Sequence, residues 1–177
     1  MTTRLRGSDV VTIGAATLRD VSYILGNLNK ADHAEIWCQA PDGATPAEMA
    51  AGIVVFGSAF VAYVDGAPAA AFGFSPMTPA GNVLSAWAFG TKRSARAMKA
   101  IVEFAASELM PAWLDAGVTR LEARSLASHR KAHRWMEETG AVREADIPEF
   151  GRSGEAFVLY VWRRSPQMFD KVKSYCR

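Results

Sequence analysis

The chain has 177 residues, 50% of them hydrophobic and 21% charged, with a formal net charge of +2. That balance suits one domain with an ordinary core and excludes a disordered chain. No apolar run approaches the roughly 20 residues that span a bilayer, and so small a net charge does not by itself argue for nucleic acid.

The opening MTTRLRGSDVV carries two arginines with no long apolar segment behind them, which argues against a secretory signal and for the cytoplasm. Val10 to Ala15 alternates as a first strand. Leu18 to Leu28 then places Leu18, Val21, Ile24, Leu25 and Leu28 on one helical stripe. A second helical stretch falls around Ala31 to Cys38. After the loop DGATP a third covers Ala47 to Phe56, with Thr45 or Pro46 at its start. Ala59 to Val64 and Ala69 to Phe74 are apolar runs joined by Asp65-Gly66, the pair a two-residue hairpin turn prefers. Val83 to Phe89 is the next strand, and the long helix after it buries Met98, Ile101, Val102, Ala105 and Leu109. Pro111 is expected to kink or end that helix.

Val118 to Ser125 is a strand in which Leu121, Ala123 and Ser125 alternate with Glu122 and Arg124. Ser128 is expected to cap a helix whose Ala132, Trp135 and Met136 share a face, Gly140 to stop it, and a strand to run on to Glu144. Ala156 to Trp162 is the last strand. Pro166 ends it, and Met168, Phe169, Val172 and Tyr175 recur at helical spacing. The expected organisation is one domain over residues 1–165 and a basic amphipathic tail over 166–177 that covers the domain's own sheet edge or docks on a partner. Cys38 and Cys176, with no CxxC spacing, read as reduced, unpaired thiols.

The run RLEARSLASHRKAHRWMEETGAVRE from Arg120 to Glu144, with AFGTKRSARA before it and GEAFVLYVWRR after it, resembles the GNAT-like (acyl-CoA N-acyltransferase fold) proteins encoded by tailed phages. Among these it is most similar to the internal virion protein A type of short-tailed coliphages. The resemblance covers most of the chain and is strongest from Ala88 to Arg163. It implies an α/β fold with a central mixed sheet flanked by helices, whose fourth and fifth strands diverge over a cleft beside Arg93 to Ala97. It also implies acetyl-CoA as donor, an amine as acceptor, and a place in the host cytoplasm or the virion, where the tail would meet other virion proteins.

Lys92, Arg93 and Arg96 crowd the first turn of the long helix, where the helix dipole disfavours cations, and an anion would relieve that conflict. In the resembled family this turn holds the coenzyme A pyrophosphate on the pattern Arg/Gln-x-x-Gly-x-Gly/Ala. The matching segment is Arg93-Ser94-Ala95-Arg96-Ala97, which has no glycine after Gly90. Trp87, Phe89 and His129 complete the expected cofactor contacts, His129 falling where the family usually carries an asparagine. The competing reading is a solvated basic helix end that binds nothing or pairs with carboxylates elsewhere.

Acyl transfer to an amine needs a base for the incoming ammonium and an acid for the leaving thiolate. The family's glutamate base has no counterpart in Val83 to Phe89, and its tyrosine acid is replaced by Met136. His129 and His133, four residues apart on one helix face, can titrate near neutral pH, though as a metal pair they lack a third ligand. Glu122 and Arg124 either face the cleft or form a structural ion pair. Ser125 either orients the thioester or begins a turn, and Tyr160 either donates a proton or packs. Asp32, His33 and Glu35 fall where the family shapes its acceptor pocket, and would welcome a cationic amine. A non-catalytic virion or accessory protein is the other class of function, its marker being a filled cleft. Two basic clusters, Lys92, Arg93 and Arg96 with Arg124, Arg130, Lys131 and Arg134, lack the interleaved aromatics of a nucleic-acid face.

Overall fold

Asp65 and Gly66 both take positive φ, 52° and 77°. Such a turn matches the right-handed twist of its flanking strands, so Val64 pairs directly with Ala67 and the hairpin follows as expected. The computed structural model describes residues 2–4, 10–56 and 58–177. Among these, one mixed sheet holds eight strands: β1 (Thr2–Arg4), β2 (Val10–Ala15), β3 (Ser58–Val64), β4 (Ala67–Pro76), β5 (Val83–Gly90), β6 (Arg120–Leu126), β7 (Val142–Ile147) and β8 (Phe157–Arg163), in the order β1-β2-β3-β4-β5-β6-β8-β7.

Pairing is antiparallel except between β5 and β6, which share only three register positions, Val83 with Arg120, Leu84 with Leu121 and Ser85 with Glu122. Beyond Ser85, β5 stays bound to β4 as far as Gly90, while β6 stays bound to β8 as far as Leu126. The two halves of the sheet part there, leaving one backbone edge of β5 without a strand partner.

Helices cover both faces. On one lie α1 (Leu18–Gly26), α2 (Lys30–Trp37) and α3 (Pro46–Phe56), with Val21, Ile24, Leu25 and Ala50 packed on Val61, Ala71 and Phe89. The α1 stripe is shorter than expected, because Leu18 is 50% exposed and Leu28 lies past the helix end in a bridge to Thr91. Thr45 and Glu48 form a reciprocal capping box at α3.

On the other face α4 (Met98–Phe104) sets Ala100 and Ile101 against Ala70 and Phe72. Pro111 does not end this helix. A π turn over Ala105–Leu109 closes on the bond from Met110 N–H to the Ala105 carbonyl, and α5 (Met110–Asp115) carries the proline in its first turn, where no intrahelical donor is needed.

In α6 (Arg130–Glu138) the N-cap is His129, without a side-chain capping bond, so Ser128 does not cap it as expected. Gly140, at φ 95°, does stop it. The last helix, α7 (Pro166–Cys176), packs against α4 and α6 rather than over a sheet edge, with Val172 buried and Met168 against the β6–β8 core. Cys38 and Cys176 are free thiols. Among the described residues no helix is long and apolar enough to cross a membrane.

Candidate active site

The parting strands need something to hold their ends, and the first turn of α2 supplies it. Asn29 caps that helix by accepting the N–H groups of Ala31 and Asp32. The Asn29 backbone N–H and Nδ2 both donate to the Gly90 carbonyl, while the Gly90 N–H donates to Asp32 Oδ2 at 2.6 Å. Both polar groups of the last β5 residue are therefore fixed by α2.

One turn further along, Glu35 holds the end of β6. Its Oε2 accepts the Ser125 hydroxyl at 2.7 Å, the Leu126 N–H at 2.9 Å and His129 Nδ1 at 2.8 Å. The far nitrogen of the ring, Nε2, lies 3.5 Å from Asp32 Oδ1. An imidazole thus stands between two carboxylates where β5 and β6 have separated.

Burial alone would lower the His129 pKa, but the Glu35 hydrogen bond and the fields of Glu35 and Asp32 outweigh it and raise the value. Burial likewise raises the Asp32 pKa, against the Gly90 N–H and His129. Each of the two holds a proton more tightly than the free side chain does. Among the described residues no cluster of three or more His, Cys, Asp or Glu side chains is arranged to hold a metal ion.

The seam opens on a cavity of about 1000 Å³ with a mostly apolar lining that includes Phe72, Ala88, Ile101, Val102, Trp135 and Trp162. Asp32, Glu35, Ser125 and His129 line it, as do the cations Lys92, Arg130 and Lys131. Gly73 makes room for one wall, since a Cβ there would meet the Trp87 ring at 2.3 Å.

This lining fits a coenzyme A thioester in two ways. The unpaired β5 edge offers backbone donors and acceptors to an amide-bearing chain, and the cations suit its phosphates. The glycine-rich loop is absent, and the glycine at Gly90 serves the chain's own packing, because a Cβ there would meet Ser94 Cβ at 2.4 Å.

Of the residues expected to contact the cofactor, Trp87, Phe89, Ser94, Ala95 and His129 line the cleft, whereas Arg93, Arg96 and Ala97 do not. Arg96 donates to Asp65 in the β3–β4 turn at 2.7 Å, and Ala97 is fully buried in the core. Of the three cations at that turn, Lys92 is the one that lines the cleft. Of the catalytic candidates, Ser125 and His129 meet at Glu35, and the others lie elsewhere. His133 Nε2 donates to the Leu126 carbonyl with its ring against Tyr160, and burial lowers its pKa. Tyr160, 1% exposed, donates to Glu137, and burial with that bond pushes its phenol up to about 12.

Glu122 is the structural ion pair, accepting Arg120 Nε at 2.5 Å and Arg124 Nη2 at 3.2 Å. The Asp32, His33 and Glu35 group divides, with the first and last turned to His129 while His33 is exposed beside Trp37. Sequence reading named both carboxylates but missed that Asp32 is bound by the β5 end. The Asn29-x-x-Asp32 capping pattern was the available signal.

No protein-family model and no curated protein matches the chain. Solved structures do. A protein described as an acetyltransferase superposes with a TM-score of 0.73 at 15% identity, covering 99% of this chain and 94% of its own. The Mycobacterium smegmatis protein RimJ, in complex with CoA-disulfide, gives 0.67 at 12% identity, over 93% of this chain and 88% of its own. The Salmonella typhimurium protein yncA, described as an acetyltransferase and solved with its cofactor acetyl-CoA, gives 0.63 at 16% identity, over 88% and 95%. At such identities the likeness establishes architecture. The chain has the α/β acyl-CoA N-acyltransferase (GNAT) fold.

Proposed function

We propose that this protein is an N-acyltransferase that takes its acyl group from a coenzyme A thioester, acetyl-CoA being the simplest, and passes it to an amine. The observation that carries the reading is the parted β5–β6 seam, opening on a large cleft that carries both carboxylates and cations. A decayed, non-catalytic domain would be expected to fill that space, and the open cavity supports chemistry instead. The neighbours described with acetyl-CoA and CoA-disulfide support the same ligand class.

When bound, the thioester supplies an activated acyl carbonyl. Lys92 and the turn at Ser94 and Ala95 would hold its phosphates, and the free edge of β5 would align its amide-bearing arm. Asp32 and Glu35 would draw a cationic amine to the opening between the strands.

Titration of acetyl-CoA into the full chain by calorimetry tests the reading, followed by thiol release across a panel of primary amines. Micromolar binding, roughly 8 kcal/mol, is expected, weakened about tenfold by Lys92→Ala, with thiol release that depends on the amine. No heat at millimolar acetyl-CoA would overturn it.

A further inference from the structure

The acyltransferase reading leaves its proton chemistry without an owner. The strand before the cleft, Val83 to Phe89, has no ionisable side chain, Met136 cannot donate a proton, and the Tyr160 phenol is spent on Glu137 outside the cleft. Ser125 is likewise committed, its hydroxyl donating to Glu35. What remains at the gap between the β5 and β6 ends is the His129 ring. Its Nδ1 is fixed to Glu35 at 2.8 Å, and its Nε2, at 3.5 Å from Asp32 Oδ1, is too far for a full hydrogen bond and free to serve a ligand.

We infer that His129, held as an imidazolium by Glu35, is the acid that protonates the departing thiolate, and that Asp32 is the base that receives protons from a primary ammonium acceptor. This assignment rests on the acyltransferase reading. In the transfer, the bond between the amine nitrogen and the acyl carbon forms, the bond between that carbon and sulfur breaks, and the sulfur keeps the electron pair. The sulfur then takes the Nε2 proton. Two protons leave the ammonium nitrogen by way of Asp32, one replacing the proton that His129 gave up and the other passing to solvent. Glu35 is a positioning residue, fixing the ring through Nδ1 and favouring its charged form. The groups facing the ring are Asp32 and Glu35 from α2 and Lys131 and His133 from α6, so carboxylates lie at both nitrogens, Lys131 adds positive charge along the helix, and burial disfavours the charged form of His133.

The test joins an NMR titration of the His129 ring in the full chain to kinetics with two donors, acetyl-CoA and a nitrothiophenyl acetate whose thiolate leaves without a proton. His129 should titrate above the ordinary imidazole value of 6.5 and fall back in Glu35→Gln. His129→Gln should lose about 100-fold in kcat with acetyl-CoA but no more than about threefold with the activated ester. His129→Asn, which keeps a donor for Glu35, supplies a second variant should the glutamine protein fail to fold. An equal loss on both donors, no loss on either, or a ring titrating below 6.5 would overturn the assignment. A wild-type protein that binds acetyl-CoA and acylates no amine would overturn the acyltransferase reading, and this assignment with it.

Discussion

Two carboxylate clusters at β6 use the same residue type for different ends. On one face of the strand Glu122 is flanked by Arg120 and Arg124, and Glu144 joins Arg120 to Arg163. Three guanidinium groups answer two carboxylates, and the Arg120 bond holds the Glu144 carboxyl below its usual range. At the strand's end Glu35 and Asp32 share a single imidazole. The first cluster is closed by cations that stay charged at any working pH, whereas the second depends on an imidazole, a group able to gain and lose its proton. The partner, more than the carboxylate, decides whether a cluster is a fastening or a site for chemistry.

Breaking the second cluster should have the largest effect on folding. Glu35→Ala strands the Ser125 hydroxyl, the Leu126 N–H and His129 Nδ1, and should cost about 3–5 kcal/mol in denaturant unfolding. Glu122→Gln should cost only about 1–2 kcal/mol, since Arg120 keeps Glu144, and should leave the pH dependence of thiol release unmoved. A shift of that pH profile in Glu122→Gln would erase the contrast between the clusters.

The smallest effect is read in pH. A raised pKa means that the folded state binds the proton more tightly, so the His129 contribution to stability is complete below 6.5 and is lost as pH rises through its folded value. His133, lowered by burial, does the reverse, its contribution being complete above 6.5 and lost as pH falls to its folded value. Melting midpoints compared with wild type should therefore converge at high pH for His129→Gln and at low pH for His133→Gln.

The sheet was legible because its signals are local. Alternation in Leu121 to Ser125, the Asp65-Gly66 turn and the stop at Gly140 each act within a few residues. The site was legible only in pieces. Asp32, Glu35, Ser125 and His129 were all singled out, yet Glu35 and His129 lie 94 positions apart and no periodicity brings them together. Tertiary contact also overrode a local rule at α6, where Ser128 has capping chemistry but the chain places His129 at the cap, with its ring turned to Glu35. At Arg96 the competing reading holds, since it pairs with the Asp65 carboxylate, 31 residues back, a partner that no local pattern names.

The wide turn at Ala105–Leu109 has a bearing on how sequences of this fold should be aligned. A π turn holds one residue more than regular helix needs, so the chain carries an insertion there that leaves no loop or gap to mark it. Removing one of those five residues would restore regular spacing and keep Trp113 edge-on to Phe74, where their ring centroids are 4.3 Å apart. Pro111 would then sit inside an unbroken ladder with its ring against a carbonyl one turn earlier. The extra residue and the proline are thus tied, and a shortened relative without the first should lack the second as well.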